Sequence, residues 1–118
     1  MPYLLGIDSG LTVTKAVLFD IDGRTLSVAR RRVAQSFPHP RHVERDMDEF
    51  WNATADAIAE AIATSGRPAS DILAIATTAH GDGIYMLDSE HRPLGAGILS
   101  LDSRAVDIAE NWVNGAVA

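Results

Sequence analysis

Apolar and polar positions along this chain change period several times, and each change marks an element. Tyr3, Leu4, Leu5 and Ile7 predict a short buried strand over 3–7, closed by Asp8-Ser9-Gly10. Ala16-Val17-Leu18-Phe19 predicts a second strand over 15–19. Asp20-Ile21-Asp22-Gly23 then makes a turn whose glycine is free to adopt positive φ. A third strand is expected over 25–33, completing an antiparallel meander. The triplet Arg30-Arg31-Arg32 reads as a solvated strand end or sheet edge, where charge discourages further pairing. Pro38 and Pro40 make 36–42 a loop.

The period then lengthens. Phe50/Trp51, Thr54, Ala57/Ile58 and Ala61/Ile62 recur every three to four residues and predict one apolar helical stripe. Asp46 followed by Glu49 forms the start signal, and Gly66 with Pro68 the stop. Ile72-Leu73-Ala74-Ile75-Ala76 is a continuous apolar run, as in a strand buried on both faces. Segments 84–87 and 94–99 flank a polar turn over 88–93 and predict an inserted hairpin. A last helix is expected over about 103–113, with Val106, Ala109 and Trp112/Val113 inward. The order β-β-β-α-β, with an extra hairpin and a C-terminal helix, is that of the ribonuclease-H-like α/β unit.

Composition narrows the functions open to this fold. At 118 residues, with 47% hydrophobic and 22% charged residues, the chain suits one domain around one core. Its formal net charge of -6 argues against nucleic acid as partner. The absence of cysteine removes disulfides and thiolate metal sites. No apolar run reaches the roughly 18 residues that span a bilayer, and the N-terminus carries no basic segment before an apolar core, so a cytoplasmic location is expected and no membrane partner.

The chemistry concentrates in Asp8-x-Gly10-x-Thr12-x-x-Lys15. Gly10 permits a tight turn that exposes backbone N–H groups to an anion, Thr12 adds a hydroxyl donor, and Lys15 adds a charge. Asp8, at the end of a buried strand, is placed to hold Mg²⁺ through water. Together these parts suit the terminal phosphates of a nucleotide; the alternative is a polar hairpin whose glycine merely satisfies the turn. The pattern is neither a P-loop nor a dinucleotide fingerprint. A two-metal nuclease using Asp8, Asp20 and Glu49 fits less well, because Asp20 lies at the far end of its strand and Glu49 serves the helix start.

These residues resemble the FGGY family of carbohydrate kinases, within the actin-like ATPase superfamily. The resemblance runs through Gly6 to Asp20, through Val43-Glu44-Arg45-Asp46 with Phe50-Trp51, through Ile72 to Gly83, and through Ile98-Leu99-Ser100-Leu101-Asp102-Ser103-Arg104. His80-Gly81-Asp82-Gly83 with Leu99 to Arg104 looks most like the subgroup acting on small polyols and ketoses, such as erythritol, L-xylulose or 3-keto-gulonate kinases. The resemblance implies ATP and Mg²⁺ as cofactors, with Asp8 organising the metal and Gly10, Thr12 and Lys15 contacting nucleotide phosphate. It implies His80, Asp82, Asp102 and Arg104 at the sugar or polyol.

Plainer roles stay open beside these. Asp82 and Gly83 serve equally as turn formers, Asp102 as the N-cap of the last helix, and Arg104 as a surface residue paired with Asp107. His80 with Asp82 is too sparse for a metal site. Gly81 replaces a larger residue found in glycerol- and xylulose-type members, and Ser100 or Leu101 stands where many members carry Trp. The resemblance places the catalytic Asp and the ATP-binding domain beyond Ala118. The chain is therefore expected to be the first part of an N-terminal sugar-binding domain, inactive alone; the rival expectation is a non-catalytic binding or scaffolding module of the same fold. Exposed apolar surface around Trp112 would favour self-association.

Overall fold

The computed structural model describes residues 1–115, so the end of the chain at 116–118, expected as the trailing part of the last helix, lies outside the described residues. Strands β1 (Tyr3–Ser9), β2 (Val13–Asp20) and β3 (Thr25–Arg32) form the antiparallel meander. A two-residue strand β4 (Glu44–Arg45), which the sequence pattern does not announce, leads into α1 (Met47–Ser65). Next come a 3₁₀ turn (Ala69–Asp71), β5 (Ile72–Ala79), β6 (Gly97–Ile98) and α2 (Val106–Val113). The main sheet has the order β3-β2-β1-β5, with β5 parallel to β1, and a second small sheet pairs β4 with β6. This is the ribonuclease-H-like order expected from the sequence.

Local chemistry sets the element ends. Asp46 accepts from the Glu49 N–H at 2.8 Å, and Gly66 closes α1 in the left-handed region at φ 67°. Gly23 turns β2 into β3 at φ 86°. The core lies between α1 and the sheet: Tyr3, Leu5, Ala16, Leu18 and Ala29 pack against Ala57 and Ala61. Small residues on the helix let it approach the strands closely. Thr54 donates its hydroxyl to the Phe50 carbonyl at 2.9 Å, which leaves its oxygen to accept from the buried Thr14 hydroxyl at 2.9 Å. The arginine triplet sits on edge strand β3, as expected, with Arg31 paired to Glu60 on α1.

The structure corrects three expectations. β5 is not buried on both faces: Leu73 and Ile75 are 67% and 60% exposed. It is an edge strand, and α1 lies over β2 and β3, so no described element covers it. The hairpin over 84–99 is not a continuous ladder but two isolated bridges, Ile84 to Ile98 and Leu87 to Pro93, around a turn held by Asp88. The last helix starts at Val106 and buries none of its described residues, and Trp112 is 63% exposed. The fold is elongated, 59 × 27 × 26 Å, and its radius of gyration of 18.1 Å is well above the ~13 Å of a compact 100-residue domain.

Candidate functional site

β1 and β5 run parallel, so their C-terminal ends lie side by side, and the His80 N–H donates to the Ser9 carbonyl at 3.1 Å. The loop after β1 is the glycine turn; the loop after β5 is His80 to Gly83. Two candidate binding features therefore meet at one end of the sheet, the place where open α/β sheets commonly hold ligands.

The glycine turn differs in detail from the expectation. The Gly10 N–H is not offered outward, because it donates to the Val13 carbonyl at 2.9 Å and closes the turn. Gly10 is nonetheless required, since a Cβ there would stand 2.9 Å from that carbonyl oxygen. Leu11 and Thr12 are the residues whose N–H groups donate to no acceptor among the described residues. Asp8 and Lys15 are directly opposite in the β1–β2 register, 3.8 Å apart, and share a hollow of ≈ 280 Å³ with Gly6, Phe19 and Thr78 on the open sheet face. Thr12 lies at the turn tip, outside that hollow.

No group of three potential metal-ligating side chains occurs among the described residues. Asp8 is thus a lone carboxylate. That donor set suits Mg²⁺ held mainly by water and substrate phosphates, and does not suit a protein-enclosed ion.

The second feature is a cavity of ≈ 640 Å³ lined by Ser9, Phe50, Thr78, His80, Asp82 and Tyr85, among others. Its size is that of a small-molecule site. Asp82 is exposed and adopts φ 60°, as a turn former does, and among the described residues it is the only carboxylate lining the cavity. His80 is fixed at both nitrogens: Nδ1 lies 3.0 Å from the Gly81 carbonyl and Nε2 lies 2.7 Å from the Tyr85 hydroxyl. A carbonyl only accepts, so Nδ1 carries the proton, and in the neutral ring Nε2 accepts from the phenol. Burial pushes the Tyr85 phenol above its ordinary pKa, partly opposed by the Arg45 charge. Tyr85, which lines the cavity, is therefore a neutral donor to His80.

Asp102 and Arg104 do not line this cavity. Asp102, 4% exposed at its side chain, accepts from the Val43 N–H at 2.7 Å and from Arg104 Nε and Nη2 at 2.9 and 2.7 Å. Hydrogen bonds from the Arg104 side chain, helped by the Arg104 and Val43 backbone N–H groups, hold the Asp102 carboxyl well below the usual range. Asp102 in turn, then Glu44 at 2.9 Å, raises Arg104 above its ordinary value. The helix that follows is capped by no side chain, so Asp102 is not its N-cap, and Asp107 pairs with Arg41 instead of Arg104. This closed triad clamps the 99–104 segment onto β4. Through β6, whose Ile98 exchanges both backbone hydrogen bonds with Ile84, it supports the loop that carries Tyr85.

Tyr85 was not singled out from the sequence; Ser9, Arg45 and Phe50 entered only as parts of the turn, of a resemblance block or of the helical stripe, with no site role. The signal available for Tyr85 was its pair of nearby glycines: a Cβ at Gly97 would lie 2.4 Å from its ring, and one at Gly83 2.9 Å. Arg45 lies in a block that carries the resemblance, but nothing in the sequence announced its burial, because a charged residue in a polar segment looks solvated until the fold buries it.

Residues 3–117 match the model of the FGGY family of carbohydrate kinases, N-terminal domain. A probable L-xylulose kinase of Haemophilus influenzae is 44% identical over 112 residues, covering 95% of this chain and 23% of that protein. The L-xylulose/3-keto-L-gulonate kinase of Escherichia coli is 38% identical over 110 residues, covering 93% and 22%. Among solved structures, a xyloylose kinase from Brucella ovis superposes with a TM-score of 0.86 at 30% identity, over 97% of this chain and 24% of that one. The chain thus spans about a quarter of the length of these relatives.

Proposed function

The chain belongs to the FGGY family of carbohydrate kinases, and on that premise we propose that it supplies the phosphate turn and one wall of the sugar pocket in an enzyme that transfers the γ-phosphoryl group of ATP to a hydroxyl of a small ketose or polyol. The observation that carries this reading is the convergence of the turn after β1 and the His80–Tyr85 cavity at one end of the sheet, tied by the His80 to Ser9 hydrogen bond. Donor and acceptor of a phosphoryl group must meet within a few ångströms, and this end of the sheet brings their two candidate seats together.

Each residue then has a role. Lys15 and the Leu11 and Thr12 N–H groups receive nucleotide phosphate beside Gly10, with the Thr12 hydroxyl as a further donor. Asp8 would hold Mg²⁺ through water, and the ion would neutralise charge on the phosphoryl oxygens. Asp82 accepts from a sugar hydroxyl, the His80–Tyr85 pair contacts a second, and a site built on such bonds rejects analogues lacking them. Asp102 and Arg104, first expected at the substrate, act in this reading as the brace behind the pocket. The names of the relatives in the comparison support a ketose of the L-xylulose or 3-keto-L-gulonate type. Use of ATP makes the cytoplasm the natural location.

Asp82, the only carboxylate lining the cavity among the described residues, orients a sugar hydroxyl in this reading, and the base that deprotonates the attacking hydroxyl is assigned, as the family resemblance implies, to a segment outside these residues. The 118 residues are then the first part of the sugar-binding domain, the open faces of β5 and α2 serve as contact surfaces, and self-association is the expected behaviour of the chain alone. The test is ATP-dependent phosphorylation of a pentose and tetritol panel by the purified chain. No turnover above a Lys15→Ala control is expected. Turnover would place the base within these residues and overturn the division of labour. Absence of any binding across the same panel would favour a structural remnant of this fold over a surviving substrate half-site.

A further inference from the structure

We infer that Arg45 is a positioning residue: its buried guanidinium pulls the carbonyls of the glycine turn inward and so presents the Leu11 and Thr12 N–H groups outward as a paired seat for a terminal nucleotide phosphate. The inference deepens the phosphate-turn reading and rests on it.

Arg45 lies in β4, one residue before the cap of α1, and is fully buried. Its Nη2 donates to the Gly10 carbonyl at 2.8 Å and also to the Leu11 carbonyl. The next carbonyl, of Thr12, accepts from the Val33 N–H at 2.8 Å. Three successive turn carbonyls are therefore held by the protein. The peptide bonds are trans, so each N–H points opposite to the carbonyl it is bonded through. Drawing in the carbonyls of Gly10 and Leu11 turns out the N–H groups of Leu11 and Thr12, the two that donate to nothing among the described residues.

The charge adds to the geometry. Arg45 has no carboxylate partner among the described residues: it stacks on Phe50 at 4.6 Å, and its Nε and Nη1 meet no acceptor. A buried cation without a counter-ion is costly, and an anion close to it relieves part of that cost. The positive end of the arrangement lies behind the turn and the amide donors lie in front, so both act in the same sense on a phosphate oxygen. Both carbonyls are reached by the single nitrogen Nη2, held in place by a planar guanidinium stacked on Phe50; lysine would bring a charge without that fixed plane.

The test uses the ¹⁵N-labelled chain and tripolyphosphate as probe. In the parent, the Leu11 and Thr12 amide signals should shift saturably. Arg45→Gln keeps a neutral donor and Arg45→Lys keeps the charge. In each folded variant, the free-state turn signals should move while those of α1 stay in place, and tripolyphosphate should bind about tenfold more weakly. Unchanged turn signals and unchanged affinity in folded variants would overturn the role of Arg45 while leaving the phosphate turn intact. Absence of any Leu11 and Thr12 response in the parent would instead overturn the phosphate reading, and the free-state turn signals would then decide the role of Arg45 alone. Should both variants fail to fold, Phe50→Leu removes the ring that seats the guanidinium. A twofold to threefold loss of affinity is then expected, and no change counts against the inference.

Discussion

The hydroxyl of Tyr85 lies 2.7 Å from Nε2 of His80, and this contact fixes the face that the β5 loop turns to its cavity. Because Nδ1–H donates to the Gly81 carbonyl, the phenol is the donor to Nε2 and the imidazole the acceptor. Tyr85→Phe removes that donor. We expect the His80 ¹⁵N chemical shifts to lose the signature of a hydrogen-bonded Nε2 acceptor and sugar affinity to fall roughly 2- to 10-fold, with thermal stability little changed.

The same ring depends on Gly97. A methyl group there would stand 2.4 Å from Tyr85 Cε1, so Gly97→Ala must displace the ring or the backbone beside it, and the expected result is a disturbed contact with His80. The variant should lose about 1–3 kcal/mol of stability by overpacking in urea unfolding, and should also show the His80 shift changes of Tyr85→Phe. Wild-type His80 shifts in a folded Gly97→Ala chain would contradict the contact.

The buried hydroxyl pair joining sheet to helix predicts an asymmetry. Thr54→Val strips Thr14 of its acceptor, whereas Thr14→Val leaves Thr54 still bonded to the Phe50 carbonyl. Thr54→Val should cost about 1–3 kcal/mol, Thr14→Val about 1 kcal/mol or less, and the double variant less than the sum. Denaturant unfolding of the cycle measures all three.

Asp102 gives a pH dependence whose sign follows from its partners. Its folded-state pKa is depressed, chiefly by the Arg104 side chain, so its contribution to stability is full above the unfolded carboxylate value of about 4 and is lost as pH falls through the lower folded value. Melting temperature should therefore drop on acidification below about pH 4. Asp102→Asn should lower the melting temperature at neutral pH and flatten that acid limb. An unchanged limb would show that the triad with Arg104 and Glu44 does not form in solution.

Much of this was legible in the sequence because it is local. Asp46, Gly66 and Gly23 act on backbone within a few residues, so their types announce the cap, the stop and the turn. Strand order followed from the change of period, and the glycine turn from its residue types. What failed depended on surroundings the sequence does not display. The run Ile72 to Ala76 reports how apolar β5 is, but its exposure is decided by where α1 lies. Gly10 was read as an outward donor, yet its N–H closes the turn, and Arg45, 34 residues away from Leu11, turns out the next two instead. Asp102 and Arg104 were expected at the substrate, but their partners Val43 and Glu44, about 60 positions distant, absorb both side chains.

Lys15 separates phosphate binding from the rest of the site. Its ammonium lies beside Asp8 on the open sheet face. Lys15→Ala should weaken tripolyphosphate binding and reduce its salt dependence, while leaving sugar binding within twofold. A loss of sugar affinity equal to the loss of phosphate affinity would show that the two seats are not distinct.

The central claim is that the cavity between β1 and the β5 loop is the sugar seat of a carbohydrate kinase. Its most direct measurement is an amide-resolved titration of the chain with L-xylulose and a polyol panel, repeated with Asp82→Ala. The predicted result is saturable shifts confined to Ser9 and the loop from His80 to Tyr85, with affinity on the order of millimolar, abolished by Asp82→Ala. Silence across the panel, or shifts that persist undiminished in Asp82→Ala, would contradict it.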